Sequence, residues 1–211
     1  MPKISEARRA QRRAQILDAA RACFLRQGLH ASTMDDIIAA SGLSAGAVYG
    51  HFPGKEALIL AAVTSGLSGM KALLDPLLDR KPTPMPATLL ADIIGAIAGA
   101  TAHGAVDLKR LALLGWSEAQ TNPRLAEAMR GFYVAFRDRL AAHCRASAQA
   151  GSTTDAATAE EIARAMLALV MGFVAQAALL GDVAPAAVAR GAAQLGAPAA
   201  AATRGARPRR R

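Results

Sequence analysis

The chain has 211 residues, enough for one large domain or a small one beside a medium one, with room for a sizeable core. Cys23 and Cys144 lie far apart with no CxxC partner and the four histidines lack metal-ligand spacing, which argues against a disulfide framework or a metal centre and fits a reducing, cytoplasmic setting. The net charge of +9 sits at the ends: residues 1–13 carry five basic groups against one acidic, residues 204–211 carry five arginines, and the stretch between is neutral.

Two short basic ends on a neutral body are expected of segments that reach for phosphate, because each neutralised phosphate releases counterions and adds sequence-independent affinity. For Arg204–Arg211 the alternative is a solvated, disordered charge run. No apolar run of signal-peptide length follows Met1, so secretion is not expected.

Alanine and leucine dominate and no Val/Ile/Thr alternation lasts long enough for a strand, so an all-α fold is predicted. A first helix is expected from about Ser5 to Gln27, with Ile16, Ala20, Cys23 and Phe24 at helical spacing and Gly28 as its stop. Short helices are expected at about Met34–Ala40 and Ala45–Phe52. A longer one begins near Lys55 and heads toward Arg80, with Asp75-Pro76 predicting a kink or an early end. Lys81-Pro82-Thr83-Pro84-Met85-Pro86 reads as a loop. Further helices fit at about 87–103, 107–120, 123–148, 159–180 and 185–195, with Asn122-Pro123 and Ala184-Pro185 as starts and Gly196-Ala197-Pro198 as a stop. Residues 197–211 are expected to be a basic, disordered tail.

The segment Thr33–Phe52, TMDDIIAASGLSAGAVYGHF, carries the functional signal. Thr33 is placed to cap a helix whose first turn holds Asp35 and Asp36, which the helix dipole favours. Gly42 stands where a left-handed residue ends that helix, Leu43 plugs the turn, and Ser44 caps the next helix. This is the pattern of a helix-turn-helix; a plain helical hairpin with a glycine turn is the alternative. Val48 and Phe52 form the inward stripe of the second helix, so Ala45, Gly46 and Tyr49 face outward, where small residues let the backbone approach a major groove. His51 and Lys55 suit phosphate contacts.

From about Arg13 to Ala62, with AAS-GLSAGAVYGHFPGKEAL at its centre, the chain resembles the DNA-binding domain of the TetR/AcrR family of regulators. The resemblance implies a three-helix helix-turn-helix domain (1–54), a helical effector-binding and dimerisation domain (55–196), and a DNA surface lined by Thr33, Ser44, Ala45, Gly46, Tyr49, His51 and Lys55. It also implies a homodimer whose late helices pair into a four-helix bundle. Two positions depart from the family pattern: a lysine or arginine often stands where this chain has Ala45, and a larger aromatic or basic residue where it has Gly50. The basic stretch with Arg8, Arg9, Arg12 and Arg13 is therefore expected to supply the missing attraction.

Beyond Ala62 the resemblance rests on helix count and on Leu114-Gly115-Trp116-Ser117-Glu118 with Asn122-Pro123, and it identifies no ligand. Met70, His103, Trp116, Met129 and Tyr133 are the candidate lining of an apolar pocket, with ordinary core packing as the alternative. The run Ala165–Gly181 is nearly all apolar but short for a membrane span and interrupted by Gln176, so a subunit interface is expected, using Ala165, Met166, Leu169, Gly172, Phe173, Gln176 and Leu180. No nucleophile–base pair, glycine-rich phosphate loop or paired carboxylates occur, so no catalytic residue, metal or cofactor is assigned. The expectation is a repressor that binds pseudo-palindromic operator DNA and is released by a small apolar effector. A regulator controlled by a protein partner is the alternative.

Overall fold

The computed structural model describes residues 6–103, 107–149 and 156–195. Over these the chain is helical: α1 Glu6–Gln27, α2 Met34–Ser41, α3 Ala45–Tyr49, α4 Lys55–Leu78, α5 Pro86–His103, α6 Leu108–Glu118, α7 Pro123–Gln149, α8 Ala156–Leu179 and α9 Pro185–Leu195. The expected basic tail and residues 1–5 lie outside the described residues.

Helix boundaries follow local chemistry. Gly28, at φ 86°, releases the chain from α1. Asn122 Oδ1 accepts the Leu125 amide at 3.2 Å, with Pro123 opening α7 where a missing N–H costs nothing. Asp107 caps α6 by accepting the amides of Lys109 and Arg110. Regular α3 ends at Tyr49, three residues short of the predicted end, although the amides of His51 and Phe52 still bond back to Val48 O.

Two apolar cores result. The first gathers Ile16, Phe24, Ile37, Val48 and Phe52 around the start of α4 and extends to Leu125 and Met129 of α7. The second packs α5, α7 and α8 with the far end of α4, around Leu74, Ile93, Leu140 and Phe173. Leu58, Ile59, Ala62 and Val63 at the start of α4 all belong to this first core, that of the helix-turn-helix head.

Helix α4 continues through Pro76 to Leu78. Proline removes one hydrogen bond, and side chains from elsewhere hold the two halves in line. Arg139 of α7 bridges Asp75 and Asp79, on either side of Pro76, and Lys71 reaches Asp75 at 2.5 Å. The Pro-rich segment after α4 is a loop, pinned where His143 Nε2 meets Pro84 O at 2.9 Å.

α6 sits between the two cores. A Cβ on its Gly115 would lie 3.1 Å from Val63 Cγ1, so glycine permits the close approach of α6 to α4. Arg110 Nη2 donates to Leu25 O at 2.9 Å, and Trp116 touches both cores.

Candidate nucleic-acid interface and its neighbouring cavity

The turn between α2 and α3 is built by caps. Thr33 Oγ1 accepts the Asp36 amide at 3.1 Å while Asp36 Oδ2 accepts the Thr33 amide at 2.9 Å, a reciprocal box. These bonds from Thr33 hold the Asp36 carboxyl below the usual carboxylate range. Gly42 then turns the chain at φ 65°, and Ser44 Oγ accepts the Ala47 amide at 3.3 Å. The hydroxyls of Thr33 and Ser44 are thus committed to caps, which leaves their backbones and the helix start to face outward.

Val48 is fully buried and Phe52 nearly so, whereas Ala45, Gly46 and Gly50 are exposed and Tyr49 shows 48% of its surface. A tyrosine this open on a helix otherwise made of small residues is the most conspicuous aromatic of the head surface. His51 is half-buried beside it.

Lys55 is arranged differently from its expected phosphate role. Its Nζ donates to His30 O at 2.8 Å and to Ser32 O at 2.9 Å, tying the start of α4 to the turn between α1 and α2. One of its three N–H groups is left over from these two bonds.

Arg8, Arg9, Arg12 and Arg13 lie in the first two turns of α1, so the expected arm is helical from Glu6 onward. Arg13 stacks its guanidinium 5.2 Å from the Phe52 ring centre, and Gln15 Nε2 donates to Ser41 O at 2.7 Å. Both contacts set the stretch of α1 around Arg13 and Gln15 beside the α2–α3 unit.

In the body, Met70, Trp116 and Tyr133 come together on one cavity, joined by Leu74, Ile97, Phe132, Phe136 and Val174 from α4, α5, α7 and α8. Trp116 Nε1 donates to the Tyr133 hydroxyl at 2.7 Å. Met129 does not line it: this residue is buried against the head core, with its Cε near Gly115. The side chain of His103 lies outside the described residues. The open volume is about 40 Å³, and a second apolar space of about 90 Å³ lies beyond Leu74, Phe132 and Phe136, toward Lys71 and Arg139. Ligand sites are typically several hundred Å³, so occupation requires these side chains to move. Phe132 and Phe136 stand in the aromatic cluster that the sequence places on the helix of Tyr133, whereas spacing gave no sign of Val174 as lining, because it sits on a stripe that a plain core also needs.

The expected interface on α8 divides in two. Met166 and Phe173 are buried in the subunit's own core, at 4% and 1% exposure, and are not available to a partner. Ala165, Gln176 and Leu180 are exposed, and Leu169 and Gly172 half-buried. Leu179, which the sequence reading passed over, is the most open large apolar residue here, at 73%. The correction arises because α8 is apolar nearly all round, which leaves periodicity without a preferred face. α4 and Ala157–Leu179 of α8 are each long and apolar enough to cross a membrane, but their buried faces pack in the two cores.

Among the described residues no group of three His, Cys, Asp or Glu is placed to hold a metal. A capped helix-turn-helix with an open second helix, set on a helical body, defines a DNA-binding transcriptional regulator. The chain belongs to the TetR family: residues 16–62 match "Bacterial regulatory proteins, tetR family" and residues 86–197 match "BetI-type transcriptional repressor, C-terminal". It is 42% identical over 73 residues to the HTH-type transcriptional repressor Rv1474c of Mycobacterium tuberculosis, a match covering 35% of this chain and 39% of that protein. The chain thus aligns with well under half the length of the first curated relatives it matches. The fold is that of a transcriptional regulator from Pseudomonas aeruginosa PAO1, with TM-score 0.72, 23% identity and 88% of each chain covered. SmeT, solved as its triclosan complex, aligns with TM-score 0.65 and 26% identity over 79% of this chain and 80% of that one.

Proposed function

We propose that the chain is a repressor that binds a pseudo-palindromic operator as a homodimer and is released from it by a small, largely apolar effector. The observation that carries this reading is the face of α3, where Ala45, Gly46 and Tyr49 stand open while Val48 and Phe52 are buried. Ala45 and Gly46 bring the helix backbone close to base edges, and the Ala45 methyl suits a thymine methyl. Tyr49 is exposed and His51 is half-buried just after it, and the spare N–H of Lys55 together with Arg8, Arg9, Arg12 and Arg13 favours phosphate.

Twofold pairing through Ala165, Leu169, Gly172, Gln176 and Leu179 of α8, with Leu180 just after it, would set two α3 helices in successive major grooves, about 34 Å apart. Small residues on that face favour close helix approach. The cavity beside Trp116 receives the effector, a role supported by the triclosan complex of the SmeT neighbour. Its small volume means that a ligand displaces Trp116 and Phe132, and Trp116 lies on the helix that also carries Gly115 against Val63 and Arg110 against Leu25. An effector that fits only the opened cavity thereby favours one placement of α6 against the head over another. No reaction is assigned to the chain.

Selection of duplexes from a random pool, followed by salt-dependent anisotropy on the selected duplex, tests the DNA reading. The expected outcome is a symmetric half-site pattern and a steep salt slope that flattens when Arg8, Arg9, Arg12 and Arg13 become alanine. An unchanged affinity and slope in that variant would remove the arginines from the interface. Sedimentation at micromolar concentration is expected to give a dimer, and a monomer there would refute the symmetric operator model.

A further inference from the structure

The cavity between α4, α6, α7 and α8 is lined almost wholly by carbon, and Tyr133, the one lining residue with a phenol hydroxyl, stands in its wall. Trp116 donates to that oxygen at 2.7 Å, which fixes the ring and uses one lone pair. The hydroxyl's own proton has no acceptor among the described residues. Burial pushes the Tyr133 pKa up, so the group stays a neutral donor at physiological pH.

We propose that the Tyr133 hydroxyl is the polar anchor of this cavity and selects an effector with an apolar body and one neutral hydrogen-bond acceptor, such as a ketone, ester or ether oxygen. The inference rests on the reading of the body as effector-binding and narrows the effector's class. A pure hydrocarbon would fill the space and leave the O–H buried without a partner, which costs more than the bond itself returns. A carboxylate would exchange its hydration for one O–H among Met70, Ile97 and Phe136, with Lys109 the one cationic lining residue. The anchor also lies at the seam of the molecule: Trp116 packs against both cores and Tyr133 against the one that includes the head. A ligand held there presses on α6 rather than on the far wall.

Trp116 is the only tryptophan, so its emission reports on the cavity of the full-length protein directly. The probes are cyclooctanone, cyclooctane and cyclooctanecarboxylate, titrated against that emission and against the melting temperature. Cyclooctanone is expected to bind about tenfold tighter than either of the others, and Tyr133→Phe to erase its advantage over cyclooctane while both still bind. Trp116→Phe, followed by melting temperature, keeps the hydroxyl and is expected to keep the ketone preference. Equal binding of ketone and hydrocarbon by the native protein, or a preference that survives Tyr133→Phe, overturns the anchor and leaves the effector reading standing. No response to any of the three probes overturns both.

Discussion

The head and the body are held together by different kinds of contact. In the head, bonds spanning only a few residues shape the turn, Thr33 with Asp36, Gly42 in its left-handed turn, and Ser44 with Ala47, and Lys55 and Gln15 then tie it to its neighbours. In the body the decisive contacts span long stretches of chain, as where Arg139 meets Asp75 and Asp79, Trp116 meets Tyr133, and His143 meets Pro84. The head presents a fixed surface outward, whereas the body encloses apolar space smaller than a ligand requires. That division suits the proposed ligand-released repressor.

The largest expected effect separates the two by packing. Phe24 is fully buried in the head and Phe136 nearly so beside the cavity. Phe24→Ala is expected to cost about 4–5 kcal/mol and to abolish DNA binding, and Phe136→Ala about 3 kcal/mol, because a wall beside existing space relaxes more readily. Urea denaturation measures both. Equal losses would show the body to be packed as tightly as the head, and the comparison would fail.

Glycines give a smaller contrast. Gly42→Ala forces a side chain into φ 65° and is expected to cost about 1–2 kcal/mol. Gly131→Ala, in the exposed middle of α7 with nothing near its Cβ, is expected to stabilise by up to about 1 kcal/mol. Opposite signs in thermal unfolding support the account of the turn, and matching signs would contradict it.

Thr33→Ala removes the cap and is expected to cost about 1 kcal/mol. The same box gives the smallest effect, a pH dependence. The folded Asp36 carboxyl sits below its unfolded value, so its contribution is complete above the ordinary carboxylate range and fades as pH falls through the folded value. Melting temperatures at pH 7 and pH 3 are expected to differ less in Asp36→Asn than in the native protein; an equal difference would remove Asp36 from the acid response.

Most of the head was legible in sequence because its signals are local, and Thr33, Gly42, Ser44, Val48 and Phe52 each stand where their own chemistry demands. Lys55 was legible as a cation near the interface but not as a tie to His30 and Ser32, since its partners lie more than twenty residues away. In the body, helix starts at Pro123 and Pro185 followed from the chain, but the faces did not. Met166 and Phe173 turn inward while Leu179 turns out, on a helix whose apolar run offers no contrast to read. Past Pro76, α4 is flanked by the ion pairs of Arg139 with Asp75 and Asp79, and Arg139 has no local mark of that contact.

The central claim is that the open face of α3 reads DNA, and Ala45→Glu tests it most directly. This residue is exposed and touches no core, so the variant is expected to melt as the native protein does. Its carboxylate would stand against phosphate and base edges, and affinity for the duplex selected by the native protein is expected to fall at least about a hundredfold in anisotropy titrations. Undiminished binding by a folded Ala45→Glu protein would contradict the account.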